Sequence, residues 1–204
     1  MPYISIVIPL YKCSAFIEEL NQRLIKTLEQ INPKFEIIFV NDASPENDWE
    51  IVNRIAAEDN RIKGISLSRN FGQHYAITAG LDAVKGEWIV VMDGDLQDQP
   101  EEIKKLYNKA QEGFEVVFAR RHIRIDNFFK RHIAKIFYKL FDYFTDNKTD
   151  ATAANFGIYK RTVILNYRKM KEQNRAFPLF VRWMGFNTAY VNVKHSGRKL
   201  GKSS

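Results

Sequence analysis

The chain has 204 residues, 45% of them hydrophobic and 27% charged, with one cysteine, Cys13; this excludes a disordered chain, an internal disulfide and a cysteine-rich zinc site, and it requires no second domain. The net charge of +7 hides an asymmetry, because residues 1–119 hold 12 Lys and Arg against 19 Asp and Glu, whereas residues 120–204 hold 19 against 5. An acidic half suited to a divalent cation thus precedes a basic half suited to anions: nucleic acid, an anionic membrane surface or a phosphate-bearing acceptor.

The start MPYISIVIPL lacks the basic segment and cleavage site of a secretory signal, and no apolar run approaches the roughly 20 residues that span a bilayer. Tyr3 to Leu10 is nearly continuous in apolar residues, as a strand buried on both faces of a parallel sheet would be. Ile17, Leu20, Leu24, Leu28 and Ile31 recur at intervals of three and four, predicting an amphipathic helix with Ser14 as its N-cap and Asn32-Pro33 as its stop. Phe35 to Val40 is a second apolar strand. Pro45 to Asp59 reads as a helix with Trp49, Val52, Ile55 and Ala56 inward, and Ile62 to Leu67 as a third strand. The polar segment Ser68 to His74 then leads into a helix over Tyr75 to Val84.

Trp88 to Met92 is another buried strand. Pro100 opens a helix whose apolar stripe is Ile103, Leu106, Tyr107 and Ala110, and Phe114 to Ala119 is a further strand. Repeated βα alternation with short turns predicts an open, doubly wound α/β sheet. After Ala119 the pattern changes. Arg120 to Arg124 reads as a basic turn and Asp126 to Phe144 as a long helix. Phe129, Ile133, Ile136, Phe137, Leu140 and Phe144 form one stripe of it, and Arg131, Lys135 and Lys139 another. Such a helix is foremost a core helix with solvated lysines, and one whose basic face suits a membrane surface. Asn155 to Tyr159 is expected to be a strand, Arg161 to Met170 and Ala176 to Met184 helices, and Thr188 to Val193, with its alternation, an edge strand. Lys194 to Ser204 reads as a loose basic tail.

The chemistry concentrates at the end of the Trp88 strand, in WIVVMDGDLQDQPE. Ligands of parallel sheets bind beyond the carboxyl ends of strands. In a still-extended chain, residues two apart project to one side, so Asp93 and Asp95 can converge on one cation with Gln97 as a further ligand. Oxygen ligands of this kind suit Mg²⁺ or Mn²⁺ held together with substrate phosphates. The alternative is a polar loop whose acids are solvated or cap the helix at Pro100.

Four segments stand in order at successive strand ends: Val7-Ile8-Pro9-Leu10-Tyr11, Phe39-Val40-Asn41-Asp42-Ala43-Ser44, Ser68-Arg69-Asn70-Phe71-Gly72 and Met92-Asp93-Gly94-Asp95-Leu96-Gln97. On these the chain resembles glycosyltransferase family 2, in the branch of polyprenyl-phosphate sugar transferases, down to Arg198-x-x-Gly201-Lys202-Ser203. The resemblance implies a GT-A fold, a Rossmann-like open and predominantly parallel sheet with helices on both faces. Residues 1–119 would form the part that binds nucleotide sugar and metal, and residues 120–204 the acceptor-side part of the same catalytic domain. It implies that Pro9 and Tyr11 line the nucleoside pocket, that Asp42 accepts a hydrogen bond from the base of a UDP- or GDP-linked sugar, and that Arg69 frames the nucleotide. Asp93, Asp95 and Gln97 would hold Mg²⁺ or Mn²⁺ against the diphosphate, Asp95 thereby serving catalysis. A structural role is open for several of these: Pro9 ends a strand, Tyr11 suits the core, and Asp42 and Ser44 suit caps of the helix after Pro45.

The implied acceptor is a polyprenyl phosphate at the cytoplasmic face of the membrane. Arg120, Arg121, Arg124, Arg131 and Arg198 are the candidate cations for its phosphate, Arg124 and Arg131 as catalytic residues. A nucleic-acid partner is not expected, since no binding motif accompanies the basic half; a homo-oligomer is left open. A sugar hydroxyl is the alternative acceptor, and a non-catalytic scaffold the alternative to an enzyme. Three positions depart from the family's pattern. Lys12 stands where relatives commonly carry Asn or an acid, Asn41-Asp42-Ala43 replaces Asp-Asp-Gly, and Asn155 replaces an Asp often considered catalytic. An amide is no base, so either the acceptor needs none, or Asp150 substitutes, or the chain belongs to a divergent subgroup. Relatives commonly continue into membrane helices, so the native chain is expected to extend past Ser204.

Overall fold

The computed structural model describes residues 2–121, 153–170 and 176–195. In chain order these form β1 (Ile4–Leu10), α1 (Ile17–Glu29), β2 (Phe35–Asn41), α2 (Asp48–Glu58), β3 (Ile62–Ser66), α3 (Gln73–Ala83), β4 (Trp88–Val91) and a 3₁₀ turn (Pro100–Glu102) that runs into α4 (Ile103–Ala110). Then follow β5 (Val116–Arg121), β6 (Ala153–Lys160), α5 (Arg161–Lys169), α6 (Phe177–Trp183) and β7 (Thr188–Val193).

The strands make one sheet in the order β3-β2-β1-β4-β6-β5-β7. β6 runs antiparallel to β4 and β5, while the other strands run parallel. Every residue of β1, β2 and β4 is buried, which explains their nearly continuous apolar runs: helices cover both faces of this part of the sheet. Successive side chains of a strand point to opposite faces. Ile6 and Ile8 accordingly join α1 residues Leu20, Leu24 and Leu28 in one core, whereas Val7 joins Ile77 and Leu81 of α3 and Val163 of α5 in the other.

The chain builds outward from β1 to β2 and β3, then returns to place β4 on the other side of β1. Strand order therefore reverses between β1 and β4, the place at the carboxyl edge where open α/β sheets bind their ligands. At the opposite edge a polar knot ties the sheet together. Buried Glu36 accepts hydrogen bonds from the Ser5 hydroxyl at 2.6 Å, from Lys63 Nζ at 2.6 Å and from the Lys85 amide at 2.7 Å.

Most predicted elements appear within a residue or two, and three details differ. Ser14 does not cap α1, which begins after Phe16 without a side-chain cap; its hydroxyl donates instead to Glu46 at 2.5 Å. Pro45, Glu46 and Asn47 precede α2 rather than opening it. Arg120 and Arg121 belong to β5 and not to a turn, because β7 continues the ladder opposite them, with Arg120 beside Asn192 and Arg121 beside Val193. β7 is the edge strand that its alternation predicts. Among the described residues no helix is long and apolar enough to cross a membrane. The expected helix Asp126 to Phe144, with Arg124, Arg131, Asp150 and Arg198, lies outside the described residues.

Candidate active site

Beyond β4 burial alternates. Gly94, Leu96, Asp98 and Pro100 are buried, while Asp93, Asp95, Gln97 and Gln99 are partly exposed. Asp93, Asp95, Gln97 and Gln99 are thus the residues that the segment turns out of the core, although it is bent rather than extended, with Leu96 left-handed at φ 58°. Gly94 has a steric reason: a Cβ there would lie 2.7 Å from Leu10 Cδ2, 3.3 Å from the Pro9 carbonyl oxygen and 3.4 Å from Cys13 Sγ. Glycine lets the end of β1 lie this close without displacing the Leu10 side chain. Downstream, Arg23 of α1 donates to Glu101 through Nε at 2.9 Å and to Gln99 through Nη2 at 2.5 Å. Fully buried Asp98 pairs in an isolated antiparallel bridge with His195, just past β7.

The backbone is strained here. Lys12 (φ 56°), Ala43 (φ 51°) and Leu96 (φ 58°) are left-handed without being glycine, and they fall one each in the loops after β1, β2 and β4. Such conformations persist only where surrounding bonds impose them, typically at functional sites. The bonds are visible. Ser44 Oγ accepts the Lys12 amide at 3.0 Å, Asn41 Oδ1 accepts the Ser44 amide at 3.0 Å, and Asp48 Oδ2 accepts the Cys13 amide at 3.0 Å.

Asp93 Oδ1 accepts Gln73 Nε2 at 2.7 Å and lies 3.5 Å from Asn155 Nδ2. Asp95 takes two bonds from Gln97, the backbone N–H at 3.1 Å on Oδ1 and Nε2 at 2.7 Å on Oδ2. The Cys13 thiol is pushed up to about 12, first by burial, against a hydrogen bond to the Tyr11 carbonyl, with the charges of Asp48, Asp95 and Asp93 adding to the rise. That thiol is inert as a nucleophile. It also marks a point on which the fields of all three carboxylates fall.

Asp42 is 3% exposed, and its oxygens accept the backbone N–H groups of Phe71 at 2.8 Å and Gly72 at 2.9 Å. It caps no residue of α2; it pins the loop that precedes α3. Pro9 is buried in β1, opposite Val40. Tyr11 is 43% exposed and therefore not a core residue. The Arg69 guanidinium lies 4.6 Å from the Phe71 ring, which in turn faces Tyr75 at 6.2 Å. Arg120 lies 4.7 Å over the Tyr190 ring.

The donor set is carboxylate and amide oxygen throughout, which fits Mg²⁺ or Mn²⁺. Among the described residues no group of three His, Cys, Asp or Glu side chains is placed to hold an ion. Asp93 and Asp95 would therefore share a cation with Gln97, water and substrate phosphates, the mode usual for Mg²⁺. Sequence reasoning left out Gln73, whose position in a polar stretch carries no signal of its own, and the contact of Asn155 with Asp93, which spans 62 residues.

The family model for glycosyl transferase family 2 matches residues 5–179. Similar relatives include an uncharacterized glycosyltransferase of Bacillus subtilis (strain 168), YkcC, 38% identical over 98% of this chain and 62% of its own length. Another is the undecaprenyl-phosphate 4-deoxy-4-formamido-L-arabinose transferase of Shewanella sediminis (strain HAW-EB3), 34% identical over 98% of this chain and 61% of its own. The chain thus spans 62% and 61% of the length of these relatives. Among solved structures, mannosyltransferase PcManGT from Pyrobaculum calidifontis, in complex with GDP-Man and Mn²⁺, is similar with a TM-score of 0.67 at 16% identity, over 94% of this chain and 55% of that one. Glucosyl-3-phosphoglycerate synthase from Mycobacterium tuberculosis, in complex with Mn²⁺, uridine diphosphate and phosphoglyceric acid, is similar with a TM-score of 0.66 at 15% identity, over 98% and 72%. At such identities these likenesses establish the fold, which is the GT-A fold.

Proposed function

The chain belongs to glycosyl transferase family 2, and on that footing we propose that it is the catalytic part of an inverting transferase that uses a divalent metal to move a sugar from a nucleoside diphosphate to a polyprenyl phosphate. The observation that carries this reading is the pair Asp93 and Asp95, turned out of the core at the carboxyl end of β4 beside the point where strand order reverses. Mn²⁺ with UDP or GDP-Man in the solved neighbours supports the metal and the donor class. The names of relatives that act on undecaprenyl phosphate support the acceptor.

Residues 1–119 form the donor and metal part in this reading. Pro9, Tyr11 and Arg69 frame the nucleoside, and Asp42 holds the loop that carries Phe71 and Gly72. Asp93, Asp95 and Gln97 would hold Mg²⁺ or Mn²⁺, whose charge would stabilise the departing diphosphate. A phosphate acceptor has a second pKa of about 6 and is largely ionised near neutral pH, so no strong base is needed. Asn155 agrees with this, because the side chain beside Asp93 is a carboxamide that cannot take a proton. The same observation disfavours a sugar hydroxyl as acceptor, which needs a base.

Residues 120–204 supply the cations for the acceptor: Arg120 and Arg121 on β5, with Arg124, Arg131 and Arg198. Arginine matches phosphate oxygens bidentately. The setting is the cytoplasmic face of a membrane, where such a lipid presents its phosphate. In-line attack by the phosphate oxygen on the anomeric carbon, opposite the departing diphosphate, inverts the configuration. The test is Asp95→Ala in the full-length protein, with nucleotide sugars screened against polyprenyl phosphate. Divalent-dependent transfer is expected to collapse, and full retained activity overturns the reading.

A further inference from the structure

Among the described residues, Asp93 meets hydrogen-bond donors from two elements other than its own. Gln73 comes from the first turn of α3, which covers one face of the sheet, and Asn155 comes from β6, the strand beside β4. Both are carboxamides. A lysine or arginine in either place would orient the carboxylate and also neutralise part of its charge, in competition with a cation; an acid would repel it. A carboxamide orients and leaves the charge intact.

Gln73 is itself held from behind. It follows Gly72, whose φ of 95° is a left-handed conformation suited to glycine, and the Gly72 amide is bound by buried Asp42 at 2.9 Å. A continuous path therefore runs from the end of β2, through the start of α3, to the end of β4: Asp42 to Gly72, Gly72 to Gln73, and Gln73 to Asp93. It joins the loop assigned to the nucleoside to the segment assigned to the metal.

We propose that Gln73 is a positioning residue for the metal, holding the Asp93 carboxylate in one orientation before an ion arrives. This rests on the reading of Asp93 and Asp95 as metal ligands. Partners that orient a metal ligand typically contribute about 10–100-fold to metal affinity. Gln73 is exposed and outside both cores, so removing its carboxamide spares the fold, which an unchanged Tm verifies.

The experiment titrates Mn²⁺ into the full-length protein with UDP or GDP present, following free Mn²⁺ by electron paramagnetic resonance, for wild type, Gln73→Met, His74→Ala and Asp95→Ala. Gln73→Met keeps the bulk and removes the donor; it is expected to weaken Mn²⁺ binding by about 10-fold. His74→Ala, a neighbour outside the site, leaves binding unchanged, and Asp95→Ala abolishes it. In turnover, Gln73→Met raises the Mn²⁺ activation constant while donor KM at saturating Mn²⁺ stays the same. If Gln73→Met binds Mn²⁺ as wild type does while Asp95→Ala does not, the positioning role is overturned and the metal reading stands. If Asp95→Ala also binds Mn²⁺ normally, or wild type binds none, the metal reading falls and this inference with it.

Discussion

Asp42, the residue after β2, accepts the backbone N–H of Gly72 at 2.9 Å, and so fixes where α3 begins 30 residues later in the chain. With its second oxygen on the Phe71 amide, the buried carboxylate satisfies two backbone donors of that loop.

Replacing Asp42 by Ala leaves both amides without this acceptor, and Asp42→Asn presents an N–H to one of them. A hydrogen bond to a charged acceptor contributes about 1.5–3 kcal/mol. Both variants are expected to unfold at lower urea concentration by that margin, and to bind the donor nucleotide more weakly because the Phe71 loop is released. Equilibrium unfolding and nucleotide titration check the two parts.

Lys12 and Ala43 fall at positions where the family resemblance leads one to expect Asn or an acid, and Gly. Both are left-handed, with φ of 56° and 51°, a conformation that costs most L-residues about 1–2 kcal/mol and that Asn and Gly adopt readily. Lys12→Asn and Ala43→Gly are each expected to raise stability by about 0.5–1 kcal/mol, the remainder being lost to other changes at the site. Thermal unfolding of the two single variants decides it.

The Tyr159 hydroxyl is buried with no hydrogen-bond partner among the described residues. Burial pushes it well above its ordinary range, against a smaller opposing effect of the Arg182 charge. Removing an unsatisfied polar atom while keeping the ring leaves the edge-on contacts with Phe118 and Phe177 in place. Tyr159→Phe is therefore expected to be neutral or stabilising by up to about 1 kcal/mol, as read from the urea midpoint.

Burial alone would raise the Glu36 carboxyl, but the hydrogen bonds from Lys63, Ser5 and the Lys85 amide outweigh it and hold the group below its ordinary 4.5. A carboxylate whose folded pKa is depressed contributes stability above its unfolded pKa and loses it as pH falls through the folded one. Wild type should thus lose stability progressively as pH drops below about 4.5. Glu36→Gln should be less stable at neutral pH and show a shallower loss on acidification. Urea unfolding as a function of pH measures both slopes.

The apolar runs of β1, β2 and β4, the three-and-four spacing of α1 and the alternation of β7 were legible because each reports burial, and burial follows from a strand's or helix's own period. The acid pair at Asp93 and Asp95 was legible for a similar local reason: it stands directly after a buried strand, at spacing two. The uses of polar side chains were not. Ser14 turning to Glu46, Asp42 to the Phe71 loop, Gln73 and Asn155 to Asp93, and Arg120 into a ladder with β7 all depend on residues 20 to 72 positions apart being brought side by side. A hydrogen bond is short and directional, and a local pattern records whether a residue is covered, not what covers it. The chain's own periodicities thus determined its layers and the strand end that bears the acids, while tertiary packing decided which donors hold those acids in place.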